Sequence, residues 1–219
     1  MEIIALTDIH SRVDLIDKIS WIISTADLLI ITGDITHFGG EKEAKYIMEK
    51  LEELNPAIIA VPGNCDYPEV NKYLYSKNWN IHGNIKQING YSFLGLGCSL
   101  PCPGKTPCEF TEEEYNHFIT TLNRKMIPES QKILVSHQPP SNTINDKVTN
   151  GQHVGSAVIR DFIEQIQPIM VFTGHIHEGV GIDSIGKSKI INPGPFREGN
   201  FCYTKIFDGQ VIELEIRKV

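Results

Sequence analysis

Seven side chains of this sequence could hold divalent metal ions: Asp8, His10, Asp34, Asn64, His137, His175 and His177. Six arrive in short motifs, Asp8-Ile9-His10, Gly33-Asp34, Gly63-Asn64-Cys65-Asp66 and Gly174-His175-Ile176-His177, while His137 stands alone. All are nitrogen or oxygen donors, which suit Mn, Fe, Ni, Zn or Co without any soft thiolate. Seven donors suffice for two ions. A pair of divalent ions can clamp a phosphate and lower the pKa of a bridging water, which then attacks phosphorus in line. The chemistry expected is hydrolysis of a small phosphate ester.

Each donor follows an apolar run that reads as a buried strand. Ile3-Ile4-Ala5-Leu6 precedes Asp8, Leu28-Leu29-Ile30-Ile31 precedes Gly33-Asp34, and Ala57-Ile58-Ile59-Ala60-Val61 precedes Asn64. Lys132-Ile133-Leu134-Val135-Ser136 ends at His137, and Ile169-Met170-Val171-Phe172 precedes the paired histidines. In open α/β sheets, ligands bind beyond the carboxyl ends of the strands. Singly these motifs are weak, since Asp34 could cap a helix and Asn64 could serve a turn. A charged Asp34 after so apolar a run is costly without a cation, however. Order and shared strand-end placement together predict a binuclear site.

The elements that must position these donors read as α/β. Ser11–Thr25 carries Val13, Ile16, Ile19 and Ile23 at helical spacing, and Glu41–Leu54 carries Ala44, Ile47, Met48 and Leu51. Strand–helix–strand repetition implies parallel strands with right-handed crossovers. Beyond residue 81 the pattern changes to hairpins. Asn84–Ile88 and Tyr91–Leu96 flank Asn89-Gly90, a type I′ signal, and Asp208-Gly209 is a second tight turn. Strands are also expected at Val180–Ile185, Lys189–Ile191, Tyr203–Phe207 and Val211–Ile216. The expected architecture is two mixed sheets packed face to face with helices outside. Thr111-Glu112-Glu113-Glu114 is a capping-box start, whose acidic run suits a helix N-terminus. Cys98–Pro107 and Gln138–Gly155 read as long loops beside the site, where substrate walls are often built.

The 219 residues are most simply one domain, residues 1–219, with a globular 41% hydrophobic and 21% charged residues. A net charge of -7 argues against a long nucleic acid as partner. The chain opens on an expected strand rather than a secretory leader, and no apolar run approaches the ~18 residues of a membrane span. A cytoplasmic location is the corresponding expectation. Hairpin edges could support a homo-oligomer, although no loop points to one.

The series Asp8-x-His10, Gly33-Asp34, Gly63-Asn64-x-Asp66, His137 and Gly174-His175-x-His177 resembles the calcineurin-like metallophosphoesterase superfamily over residues 8 to 177. The resemblance implies a four-layer α/β/β/α sandwich with two metals at its edge. It assigns one ion to Asp8, His10, Asp34 and His177, and the other to Asp34, Asn64, His137 and His175. The stretches Gly33-Asp34-Ile35-Thr36-His37-Phe38-Gly39 and Asn192-Pro193-Gly194-Pro195 are similar to a small branch related to cyclic-nucleotide phosphodiesterases. Asp34, Asn64, Cys65, Asp66 and His37 are the candidate catalytic residues.

Many members carry His at the position of Cys65, and that His is taken to protonate the leaving group. Such protonation is worth about 100- to 10,000-fold. Its replacement points away from alkyl monoesters and toward diesters with better leaving groups, although Cys65 reads equally as a small buried hydrophobe. His37 and His153 are candidates to stabilise charge, or ordinary loop histidines. Arg197 could meet a phosphate bidentately or form a surface ion pair. Cys98, Cys102 and Cys108 lack a fourth nearby ligand for zinc, and a redox disulfide among them is the other reading. The alternative to an enzyme is a non-catalytic, metal-binding interaction module on the same fold, for which a retromer subunit resembling this superfamily is the precedent. A nuclease is disfavoured by the acidic charge.

Overall fold

The computed structural model describes residues 1–219. Strands β1 (Glu2–Leu6), β2 (Leu28–Thr32) and β3 (Ile58–Val61) run parallel in one sheet. Two later strands, β10 (Asn200–Phe207) and β11 (Gln210–Lys218), complete it on the other side of β1, in the order β11-β10-β1-β2-β3. The second sheet has β4 (Ile85–Ile88), β5 (Tyr91–Leu96), β6 (Gln131–Ser136), β7 (Met170–Phe172), β8 (Gly181–Ile185) and β9 (Ser188–Asn192), in the order β4-β5-β6-β7-β9-β8. Both sheets are mixed: the first is parallel from β1 to β3 and antiparallel through β10 and β11, and the second has a parallel centre with an antiparallel strand at each edge.

Alternation along the strands builds the layers, because successive side chains point to opposite faces. Ile3, Ala5, Leu28 and Ile30 face the second sheet and pack with Phe93, Ile133, Val135, Met170 and Phe172. Ile4, Leu6, Leu29 and Ile31 face the other way. Helices α1 (Ser20–Thr25), α2 (Glu41–Leu54) and α3 (Pro68–Ser76) cover that outer face, with Ala44, Ile47, Met48 and Leu51 buried as their spacing predicts. Helices α4 (Glu112–Lys125) and α5 (Ala157–Ile166) cover the outer face of the second sheet. The four expected layers are present.

The turns follow their residues. Asn89 and Gly90, at φ 50° and 83°, and Asp208 and Gly209, at φ 47° and 72°, are left-handed pairs. Thr111 and Glu114 form the reciprocal capping box that opens α4. One expectation fails. Ser11–Thr25 is not a single helix: two 3₁₀ turns, Val13–Leu15 and Asp17–Ile19, precede the short α1. Val13, Ile16 and Ile19 recur every three residues, so a 3₁₀ turn keeps them on one face as well as an α-helix does. No helix is long and apolar enough to cross a membrane.

The inter-sheet core ties the two halves of the sheet-end crevice together. Ile133→Ala, at a fully buried position of that core, should cost about 2–5 kcal/mol in denaturant unfolding. Trp21→Ala, 68% exposed on α1, should stay within about 0.5 kcal/mol of the parent.

Candidate metal centre

The strand ends do not simply run out into loops. Asp8, His10, Asp34 and His175 all adopt left-handed backbone, at φ 52°, 42°, 47° and 68°. Each such residue costs on the order of 1–3 kcal/mol, and such outliers cluster at functional sites. They persist here because the loops over-determine them. Asp8 N–H donates to Gly33 O at 3.1 Å and His10 N–H to Asp34 O at 3.0 Å. The Cys65 N–H donates to Asp34 Oδ1 at 2.8 Å. The glycines before the donors are required by close approach. A Cβ on Gly33 would overlap the His137 ring, and one on Gly63 would overlap Asp34.

Six of the seven sequence-predicted donors converge in overlapping groups. Asp8, His10 and His177 form one cluster, and Asp8, Asp34 and His137 another, with ligand atoms within 4.8 Å of one another in each. Asn64 joins the second, its Oδ1 lying 3.0 Å from His137 Nε2. Asp34 stands between the clusters: its Oδ2 is 3.7 Å from His10 Nε2, and its Oδ1 is 3.5 Å from His137 Nε2. His175 lies at the margin. Its N–H donates to Asp8 Oδ2 at 3.2 Å, and its ring faces His137 at a centroid distance of 5.3 Å.

The arrangement around His137 is unusual. Its Nδ1 lies 2.7 Å from Thr32 O, and a carbonyl only accepts, so Nδ1 carries the ring proton. Without a second proton on the ring, the Nε2 lone pair meets two further acceptors, Asn64 Oδ1 and Asp34 Oδ1. His137, Asn64 and Asp34 are buried, so water cannot relieve the repulsion. A cation among the three atoms can. The donor set therefore fits a divalent ion on electrostatic grounds as well as by residue type.

The carboxylates tell the same story. Burial pushes Asp34 up to about 7; the His137 charge opposes this, and the charges of Asp8 and Asp66 add to it. Burial also acts on Asp8, but the His177 hydrogen bond, the charges of His137 and His177 and the Thr7 hydroxyl overcome it and hold Asp8 below its usual range. Burial lowers His10 to about 4, with the Asp8 charge opposing. Burial lowers His175 to about 3, reinforced by His137. These neutral imidazoles are in the form that binds metals.

The other candidates occupy different places. The Cys65 thiol belongs to a cluster with His10 and Asp34; burial first, then the Asp34 charge, raises its pKa far out of reach of neutral pH. Asp66 does not face the donors. Its carboxylate accepts from the N–H groups of Gly63, Ile35 and Thr36 and from the Thr36 hydroxyl, locking the Gly33 and Gly63 loops to each other. His37 is exposed at the rim, edge-on to His10 at 5.3 Å. His153 pairs instead with the buried Asp146, at 2.7 Å. Arg197 is not in a surface ion pair: its guanidinium donates to His177 Nδ1 at 3.0 Å.

Two supports escaped sequence reasoning. Thr7 Oγ donates to Asp8 Oδ2 at 2.7 Å, and Thr32 O fixes His137. A buried threonine closing an apolar run was the available signal. Cys98 and Cys108 form a disulfide, which leaves Cys102 as a free thiol 3.7 Å from His175 Nε2.

With this geometry in view, the comparison with known proteins is direct. Residues 1–179 match the model of the calcineurin-like phosphoesterases. The chain belongs to that family. It is 42% identical to an uncharacterised protein of Methanocaldococcus jannaschii, over 89% of this chain and 88% of the relative. It is 26% identical to a probable glycerophosphodiester phosphodiesterase of Arcobacter nitrofigilis, over 69% of this chain but 56% of that protein. The crystal structure of a dimetal phosphatase from Danio rerio superposes with a TM-score of 0.70 at 11% identity, covering 100% of this chain and 98% of that one. That last likeness concerns the fold. The phosphoesterase fold seen here is thus the family's, with potential metal ligands clustered at its strand ends.

A proton on Asp34 competes with any cation for the same oxygens. Because the Asp34 pKa is raised to about 7, Mn²⁺ affinity should climb as pH rises from 6 toward 8 and level off above. Isothermal titration across that range would show it. An affinity flat from pH 6 to 8 would mean that Asp34 gives up no proton to the ion.

Proposed function

We propose that this phosphoesterase is a binuclear-metal phosphodiesterase acting on small substrates. The observation that carries the reading is the convergence of His137 Nε2, Asn64 Oδ1 and Asp34 Oδ1 in a buried cluster, a donor set that a divalent cation would satisfy. Asp8, His10, Asp34 and His177 would hold one ion, and Asp34, Asn64, His137 and His175 the other. Asp34 suits the shared position because its two oxygens face opposite halves of the site. The two ions would supply Lewis-acid polarisation of the phosphoryl group and activation of the attacking water.

The rest of the work falls to the chain. For His177 to bind through Nε2, its ring proton must sit on Nδ1, the atom that now accepts from Arg197. The guanidinium must then turn elsewhere, and a phosphoryl oxygen at the same mouth is the natural acceptor. Cys65 keeps its proton at neutral pH because burial disfavours the thiolate. A thiol held so tightly is a poor acid for an alkoxide leaving group. Diesters with acidic leaving alcohols need least help, and a probable diesterase, though one named for an alkyl diester, is among the relatives. His37, exposed at the rim, would meet the departing group rather than an ion. The net charge of -7 favours a small phosphorylated substrate over a long polyanion.

The test compares bis-p-nitrophenyl phosphate with p-nitrophenyl phosphate, using metal-stripped protein restored separately with Mn, Ni, Zn or Mg. Metal-dependent diester cleavage, abolished by Asp34→Asn, is expected. Arg197→Ala should lower kcat/KM by about 100-fold, the scale of removing one group that stabilises transition-state charge. Cys65→His should raise monoester turnover by up to about 100-fold by restoring a proton donor. Two bound ions with no turnover on either ester would instead identify an interaction module.

A further inference from the structure

The loop that the Cys98–Cys108 disulfide closes touches one half of the site and not the other. The Cys98 N–H donates to Pro62 O at 2.7 Å, and the Cys108 N–H to Asn64 O at 3.0 Å, so both ends of the disulfide grip the Asn64 segment. The Leu100 N–H donates to Gln138 Oε1 at 2.9 Å, next to His137. Cys102 Sγ meets His175 Nε2 at 3.7 Å. These are the three segments bearing Asn64, His137 and His175. None of the hydrogen bonds of residues 98–108 reaches Asp8, His10 or His177.

The contact at Cys102 has a direction. Its thiol lies 3.3 Å from Leu100 O, which can only accept, and 3.3 Å from Ser99 Oγ, whose own proton goes to Leu100 O at 2.8 Å, so both offer the S–H proton an acceptor away from the ring. The sulfur is then left to accept from the Nε2–H of His175. That interaction sets the imidazole tautomer: with the proton on Nε2, the lone pair lies on Nδ1, free for an ion. Residues that bond the outer nitrogen of a metal-binding histidine fix its tautomer and orientation in this way. The loop is itself well braced. Glu109 Oε1 accepts from the N–H groups of Cys102 and Thr106, at 3.1 and 2.7 Å.

We propose that Cys102 is a positioning residue for His175, and that the disulfide-closed loop carrying it is a clamp on the Asn64–His137–His175 ion alone. The proposal rests on the two-ion reading above. It makes the two positions separable: one held by Asp8, His10 and His177, the other dependent on a loop outside the ligand set.

The experiment titrates metal-free protein with Mn²⁺ and follows free Mn²⁺ by electron paramagnetic resonance. The parent should bind two ions per chain. Cys102→Ala should weaken one of the two binding steps by about 10- to 100-fold and leave the other unchanged. Cys102→Ser, whose hydroxyl can still accept from Nε2–H, should recover most of that loss. The double variant Cys98→Ser, Cys108→Ser should weaken the same step as Cys102→Ala. Equal weakening of both steps, no weakening of either, or serine no better than alanine would overturn the clamp. A parent that binds fewer than two ions would instead overturn the two-ion reading itself.

Discussion

Asp8 and Asp34 are held together, both nearly inaccessible to water, at the junction of two sheets. Two carboxylates in so dry a place repel each other and forgo their hydration, a penalty of several kcal/mol per uncompensated ion. Much of the surrounding structure answers that cost. Thr7 donates to Asp8, and the backbone of Cys65 donates to Asp34. Asp66, a third buried carboxylate, is fully engaged by the loops it joins. Hydrogen bonds of this kind return about 1.5–3 kcal/mol each when one partner is charged. They soften these costs without cancelling them: burial first, and the charges of Asp8 and Asp66 after it, still push the Asp34 pKa up.

The left-handed residues belong to the same balance. Four strained ligand-bearing positions, each costing about 1–3 kcal/mol, compare with the whole stability of a typical domain, about 5–15 kcal/mol. Loops alone could not hold such a conformation. The three apolar layers can, because β1, β2, β3, β6 and β7 are anchored in cores on both faces before they deliver their donors. The rigid sheets absorb the strain, and the glycines at 33 and 63 allow the loops close enough to share it.

This division explains what could be read from the residues alone. Buried parallel strands are near-continuous apolar runs, so their ends, and hence the donors beyond them, were visible one by one. Tight turns announced themselves through Asn-Gly and Asp-Gly. The place of β10 beside β1, about 200 residues away in sequence, leaves no local trace. Neither does the sign of φ at Asp8 or His175, which is imposed by loops meeting in space. Asp66 shows the limit most plainly. Its motif position suggested chemistry, whereas its four donors make it a strut, and the difference lies in where a carboxylate points. The pairing of Cys98 with Cys108, leaving Cys102 free, is likewise a fact of three dimensions.

The two halves of the centre are supported in different ways. His137 is wholly buried, and its Nδ1 is spent on the backbone of β2, so its orientation is built into the contact between the sheets. His177 is 29% exposed, and its outer nitrogen meets a mobile type of partner, the long side chain of Arg197. A partner that must change when Nε2 takes an ion is better supplied by a side chain than by a carbonyl, since a guanidinium can swing to another acceptor and a strand cannot. On the proposed function, phosphate recognition and ion binding would thereby be linked on the open side, where His37 and Phe38 are exposed. The buried side, with no such freedom, depends instead on geometry set before any ligand arrives.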